Sequence, residues 1–307
     1  MYTFVHLHPN SLSKQFCTNS QELDYLFRKA THVVYHGYCY KFTDQHLSEY
    51  VNGRMNLPID TQMMLLEQLR VKFPHIEFIL GFETTWTLAN ESGWQHLLQD
   101  GAAFAVFCRQ LYHLCVRGPW SGYCLPVSSC RSLCPLALTQ ALPFWTNFSR
   151  EFKCFLLLPQ NFAEEIRWAD YQCQIVSENV EGFIIPMYGQ RRQHVAEDYN
   201  NIHRWQQWLK EQPCLDKSKM VLLMDTMDVV LCPQSRTIRD IIPRSIRQKV
   251  DGSCIETIGE TRLSVERKKQ MVYVHGLLGL ALEDPCMDVP PSSPESLWSF
   301  MTASSLA

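Results

Sequence analysis

His6 and His8 form a His-x-His pair at the end of the apolar run Tyr2–Leu7. On a strand that spacing turns both imidazoles to the same side, as two ligands of one metal ion would be. A hydrolytic metal site of this kind needs further His on later strands. The strand-like runs Lys153–Pro159 and Val180–Gly189 contain none, and Asp284 alone does not complete the set. The pair is therefore read as ordinary polar strand-end residues, with no metal and no cofactor expected. Glu83, Asp225, Glu283 and Asp284 stand at the ends of other strand-like runs, where two carboxylates could share general acid and base work. Each is read first as a solvated or capping loop acid. The block Gly101–Arg150 contains no Asp or Glu at all, although 31 of the 307 residues are acidic, so it can supply no carboxylate to any reaction.

The cysteines bear on location. There are thirteen, an odd number, so at least one thiol is left without an intramolecular mate. No Cys-x-x-Cys pair occurs, and Cys130 with Cys134 lacks a matching second half, so zinc is not expected. Cys108 and Cys115 fall on one apolar helical face and are read as buried thiols. The count is high for a reducing compartment, and Asn90–Ser92 and Asn147–Ser149 fit the N-glycosylation pattern. A secreted, extracellular glycoprotein with disulfides is expected, although Met1–Asn10 does not read as a signal peptide. No apolar run approaches a membrane span. A net charge of −3 without a Lys/Arg stripe argues against nucleic acid. The densest basic segments, Gly189–His194 and Val265–Gln270, are read as solvated loop or helix faces.

Short β-like runs alternate with helical ones. Tyr2–Leu7, Thr31–Tyr40, Glu77–Trp86, Trp120–Cys124, Lys153–Pro159, Val180–Gly189, Met220–Met227 and Tyr273–Leu282 are the strand candidates. Ser20–Ala30, Thr61–Phe73, Phe104–Arg117, Asn200–Gln212 and a last segment from Ser293 carry helical spacing, with Met64, Leu65 and Leu69 as the apolar side of the second. Eight such runs predict an α/β fold, a single (β/α)8 TIM barrel over residues 1–307 with its site at the C-terminal strand ends. Residues 228–269 are too long for one crossover and are expected to be a short insertion between strands 7 and 8.

The order and wording of these runs resembles glycoside hydrolase family 18, the chitinases and chitinase-like proteins. KATHVVYHGY is similar to that family's second strand, and KFPHIEFILGFETTW to the stretch leading into its third. NVEGFIIPMYGQ looks like the sixth strand, and SVERKKQMVYVHGLLGLALEDP like the last helix and eighth strand. The resemblance implies a substrate-assisted reaction, in which the sugar's acetamido oxygen attacks and one Glu protonates the leaving oxygen. That chemistry needs an Asp-x-x-Asp-x-Asp-x-Glu motif closing the fourth strand. Here the corresponding segment, Arg117–Ser129, has no carboxylate. Tyr188 matches the sixth-strand Tyr, but Gly189 follows where the family has Asp, Leu280 falls where it has a flooring Trp, and Thr84 and Thr85 replace its small pair. Losing a positioned general acid alone costs about 10²–10⁴-fold.

The resemblance implies a catalytically inactive, chitinase-like pseudoenzyme with no catalytic residue. Its expected ligand is chitin or another N-acetylglucosamine-containing glycan, held on the mouth aromatics Tyr35, Tyr38, Trp86, Trp120 and Tyr188. Two alternatives stay open: a scaffold for protein partners that binds no sugar, and a glycosidase whose acids have moved to other strand ends.

Overall fold

The computed structural model describes residues 1–9, 20–41, 46–49, 59–82, 97, 100–126, 150–158, 173–187, 202–211, 216–231, 238–244 and 256–303. Eight parallel strands close into a barrel: β1 (Tyr2–Leu7), β2 (His32–Lys41), β4 (Glu77–Phe82), β5 (Gly122–Pro126), β6 (Lys153–Leu157), β7 (Gly182–Pro186), β8 (Met220–Met224) and β12 (Gly279–Glu283). Neighbours in sequence are neighbours in the wall, and β1 pairs with both β2 and β12 to close it. A short β3 (His46–Glu49) folds back antiparallel on the end of β2. The (β/α)8 expectation is met.

The strands read as unbroken apolar runs because both of their faces are covered. One face points into the barrel, where Phe4, Val34, Ile79, Cys124, Phe155, Ile184, Val221, Leu223 and Ala281 form a buried plug. The other face meets the helices, through residues such as Val5, Tyr35, Leu80, Tyr123, Phe183 and Leu280. At the N-terminal strand ends the plug is floored by ions. Lys153 Nζ lies 2.7 Å from Glu77, whose carboxylate faces His32 Nε2 at 3.6 Å.

Helices α1 (Ser20–Lys29), α2 (Ile59–Lys72), α3 (Gly101–Arg117), α4 (Cys173–Asn179), α5 (Ile202–Glu211), α6 (Arg262–His275) and α7 (Leu297–Thr302) lie between or after the strands. Asp100, the last acid before the acid-free block, caps α3 by accepting from Ala102 and Ala103 N–H. Two details differ from the sequence reading. On α2 the buried side is Gln62 and Leu66, while Met64 is 54% exposed. The last strand begins later than Tyr273, because α6 runs through His275 and stops only at Gly276, whose φ of 64° is the left-handed cap that glycine tolerates.

Between β8 and α6 the extra chain forms its own antiparallel sheet, ordered β10 (Ile238–Pro243), β9 (Met227–Leu231), β11 (Glu256–Ile258). Arg244 ties it to the C-terminal segment through Asp288, and Glu260 ties it to α6 through Lys268. Lys268 is 1% exposed, so Val265–Gln270 is not a solvated basic face as the sequence suggested. Among the described residues no helix is long and apolar enough to cross a membrane.

Candidate functional site at the barrel mouth

The inward positions at the C-terminal ends of β1, β2 and β12 are His6, His36 and Glu283, each two residues beyond a plug residue, as strand alternation requires. His8 follows just past β1. These four side chains form one network. His8 Nε2 lies 2.7 Å from Glu283 Oε1, His6 Nδ1 lies 3.5 Å from Glu283 Oε2, and His36 Nε2 lies 2.9 Å from His6 Nδ1. The His8 ring also stacks on His36, with centroids 4.9 Å apart.

The protons can be placed. His36 Nδ1 sits 3.1 Å from the Phe82 carbonyl, which only accepts, so Nδ1–H donates. In the neutral ring His36 Nε2 is then an acceptor, and His6 Nδ1–H donates to it. His6 Nε2 is left as a bare lone pair, fully buried and without a hydrogen-bond partner. Burial pulls His6 down to about 3; Glu283 opposes this and the neighbouring His36 and His8 reinforce it. Burial pushes the Glu283 carboxyl up. The hydrogen bond from His8 and the fields of His6, His8 and His36 outweigh that and hold it below the usual carboxylate range. The side chains of His8 and Glu283 are 26% and 22% exposed, so the network opens to the mouth at this pair.

The backbone beside the network is tightly held. Thr226 Oγ1 donates to the Glu283 carbonyl at 2.9 Å and the Asp284 carbonyl at 3.1 Å. Asp284 takes a left-handed φ of 31°, a conformation that costs a non-glycine residue about 1–3 kcal/mol. Asp225, 2% exposed, accepts the Met227 N–H at 3.0 Å and so caps the turn into β9. Among the described residues no three His, Cys, Asp or Glu side chains converge closely enough to hold a metal ion.

The expected aromatic surface is placed differently. Tyr35, Tyr38 and Trp120 are 0%, 6% and 5% exposed and belong to the layer between barrel and helices. There Tyr35 stacks on Trp120 at 6.2 Å and Tyr38 meets Trp120 edge-on at 6.5 Å. Odd and even positions of β2 face opposite ways: Val34 and His36 line the lumen, and Tyr35 lies behind it. Leu280 likewise faces the helices, so Ala281 and Glu283 are the inward residues of β12. Trp86, Tyr188, Glu83, Asn90 and Asn147 lie outside the described residues. Cys39, Cys108, Cys115, Cys124 and Cys154 carry no disulfide, and all but Cys39 are buried, so no disulfide is found among the cysteines whose side chains are described. A separate outer groove of about 890 Å³ lies among α1, α6 and α7, lined by Tyr25, Lys29, Arg262, Lys269, Tyr273 and Phe300.

The sequence reading named His6, His8 and Glu283 separately and passed over His36. The available signal was strand parity: His6, His36 and Glu283 each stand two residues after an apolar inward position.

No family model matches the chain, and no curated protein does. Solved structures do. Catalytic domain 2 of a group II chitinase from Ostrinia furnacalis, solved as a mutant in complex with penta-N-acetylchitooctaose, superposes with a TM-score of 0.75 at 11% identity, covering 98% of this chain and 95% of that one. YKL-39, solved with chitooligosaccharides, gives 0.73 at 10% identity, covering 98% of each chain. The chitinase-like agglutinin RobpsCRA from Robinia pseudoacacia gives 0.69 at 10%, covering 97% of this chain and 98% of that one. At such identities the likeness establishes the fold alone, the TIM barrel that these proteins share.

Proposed function

We propose that this protein is a chitinase-like barrel that binds a saccharide in its mouth and does not hydrolyse it. The observation that carries the reading is the fourth barrel strand. Within Arg117–Ser129, the segment that the resemblance marks as the seat of the catalytic acids, Gly122–Pro126 forms that strand and carries no Asp or Glu, with Cys124 turned into the plug. Across the lumen, among the described residues, His8 and Glu283 reach the mouth with polar groups that suit hydrogen bonding to sugar hydroxyls. Two structural neighbours, YKL-39 and the Ostrinia domain, were solved with chitooligosaccharides, which supports a ligand of that class here. With Tyr35, Tyr38 and Trp120 buried, ring stacking falls to Trp86 and Tyr188.

Calorimetric titration with chitin oligomers, beside turnover of fluorogenic N-acetylglucosamine oligomers over a wide pH range, tests this. Binding without turnover is expected. Turnover abolished by Glu283→Gln or Asp225→Asn would replace the reading with that of a hydrolase using displaced acids. Absence of both would leave the protein-scaffold alternative. Export belongs to the same proposal and rests on the sequons at Asn90 and Asn147 and the eight cysteines other than the five that carry no disulfide. Glycan on either Asn in protein from its native source would support it, and unglycosylated, fully reduced protein would sink it.

A further inference from the structure

The mouth network is short of donors. Glu283 Oε1 accepts from His8 Nε2 at 2.7 Å, whereas among the described residues Oε2 has only the long 3.5 Å approach of His6 Nδ1. His6 Nε2, on the same small ring, is fully buried and meets no partner. Oε2 and Nε2 therefore lie within reach of one small group, and both can only accept. A buried acceptor without a donor costs about 1–3 kcal/mol, so a donor-bearing group is favoured there.

The charge at this point favours a cation. Glu283 ends β12, and Cys124 approaches from β5 closely enough to feel the Glu283 charge; Asp284 and Asp225 stand in the turns after β12 and β8, where Asp225 is engaged with the Met227 N–H. Arg244 comes close, its backbone N–H bonding the Thr226 carbonyl, but its guanidinium is engaged with Asp288 and the Glu295 carbonyl. His6 and His8 from β1 and His36 from β2 complete the surroundings. No three of these groups converge as metal ligands do, whereas an ammonium takes acceptors singly, with up to three N–H donors.

We propose that Glu283 Oε2 and His6 Nε2 form a subsite for a protonated primary amine, so that the saccharide this mouth takes carries a free amino group. The inference rests on the saccharide-binding reading and narrows it to amino sugars over their N-acetylated forms. The amine bridges Glu283 Oε2 and His6 Nε2 and leaves the His8 hydrogen bond to Oε1 in place. Affinity falls in alkali, as the amine loses its proton.

Calorimetry of the full chain in EDTA, with glucosamine oligomers and N-acetylglucosamine oligomers of equal length, tests it. The glucosamine series is expected to bind at least tenfold more tightly, and Glu283→Gln, which keeps an acceptor for His8, to remove that preference. Ethylammonium chloride should compete with glucosamine oligomers on the unmodified protein where equal sodium chloride does not, a measurement that needs no variant. Equal affinity for the two series, or preference for the acetylated one, would overturn the amine subsite and leave the saccharide reading standing. Binding to neither would overturn both. A preference untouched by Glu283→Gln and by ethylammonium would place recognition elsewhere, and binding that EDTA abolishes would make the occupant a metal ion.

Discussion

His6 and Glu283 stand opposite each other in the parallel register of β1 and β12, and across that pair His6 Nδ1 lies 3.5 Å from Glu283 Oε2. The pairing joins a ring that burial keeps neutral to a carboxylate that its neighbours keep ionised. It is set by backbone geometry: Gly279, four residues before Glu283, lets β12 lie against β1. A Cβ there would come within 2.1 Å of the Tyr2 carbonyl oxygen.

Gly279→Ala is therefore expected to force the strands apart at the foot of the pair. Overpacking of this kind costs about 1–3 kcal/mol. Urea denaturation should show the loss, and ligand affinity at the mouth should fall with it, because the register that places Glu283 against His6 is disturbed. An Ala variant as stable as the parent would show that the strands can shift without cost.

Stability should decline in mild acid. His6 is lowered to about 3 and His32, beneath the plug, to about 4, in both cases chiefly by burial, from an ordinary 6.5. Below pH 6.5 the unfolded chain takes up protons at these rings that the folded chain refuses, so stability rises with pH up to about 6.5 and falls below it. Glu283, lowered in the folded state, adds a loss as pH drops through the carboxylate range. Melting temperature measured from pH 8 to pH 4 should fall steadily below about 6.5, and less steeply in His32→Phe. A flat profile over that range would contradict the buried neutral state of both rings.

The barrel was legible in the sequence because each wall strand is covered on both faces and so reads as a short apolar run, as in Met220–Met224 and Gly182–Pro186. The three-stranded sheet of β9, β10 and β11 was not, since β11 is only Glu256–Ile258 and pairs with β9 across the whole of β10, and no period joins them. The mouth aromatics were misplaced for a local reason. Composition places Tyr35 near a strand end, but only strand parity, counted from Val34 inward, shows that it points to the helices. His36 shares that parity with Val34 and could have been found by it.

The buried thiols should be inert. Burial pushes Cys115 and Cys154 up to about 12 and Cys124 further, leaving negligible thiolate at neutral pH. Iodoacetamide at pH 8 followed by peptide mass spectrometry should label Cys39, which is partly exposed, and spare Cys108, Cys115, Cys124 and Cys154 until denaturant is added. Native labelling at Cys124 would show that the plug opens beneath the mouth.

Lys268 and Glu260 form the ion pair that fixes the inserted sheet to α6, with side chains 1% and 0% exposed. Glu260 also accepts from Ser264 Oγ at 2.5 Å, and Ser264 with Thr261 builds the capping box that starts the helix. Lys268→Met leaves a carboxylate buried without its counter-ion, a loss of about 3–5 kcal/mol. Glu260→Leu with Lys268→Met removes both charges, and Ser264 Oγ keeps the Thr261 carbonyl, 2.8 Å away, as its acceptor. The double variant is expected to regain most of the stability lost by the single one, because a buried pair replaced by apolar groups is often neutral. Urea denaturation of the single and double variants decides the matter. Losses that add, with the double variant the least stable, would mean that the pair contributes through its attraction and not merely through mutual neutralisation.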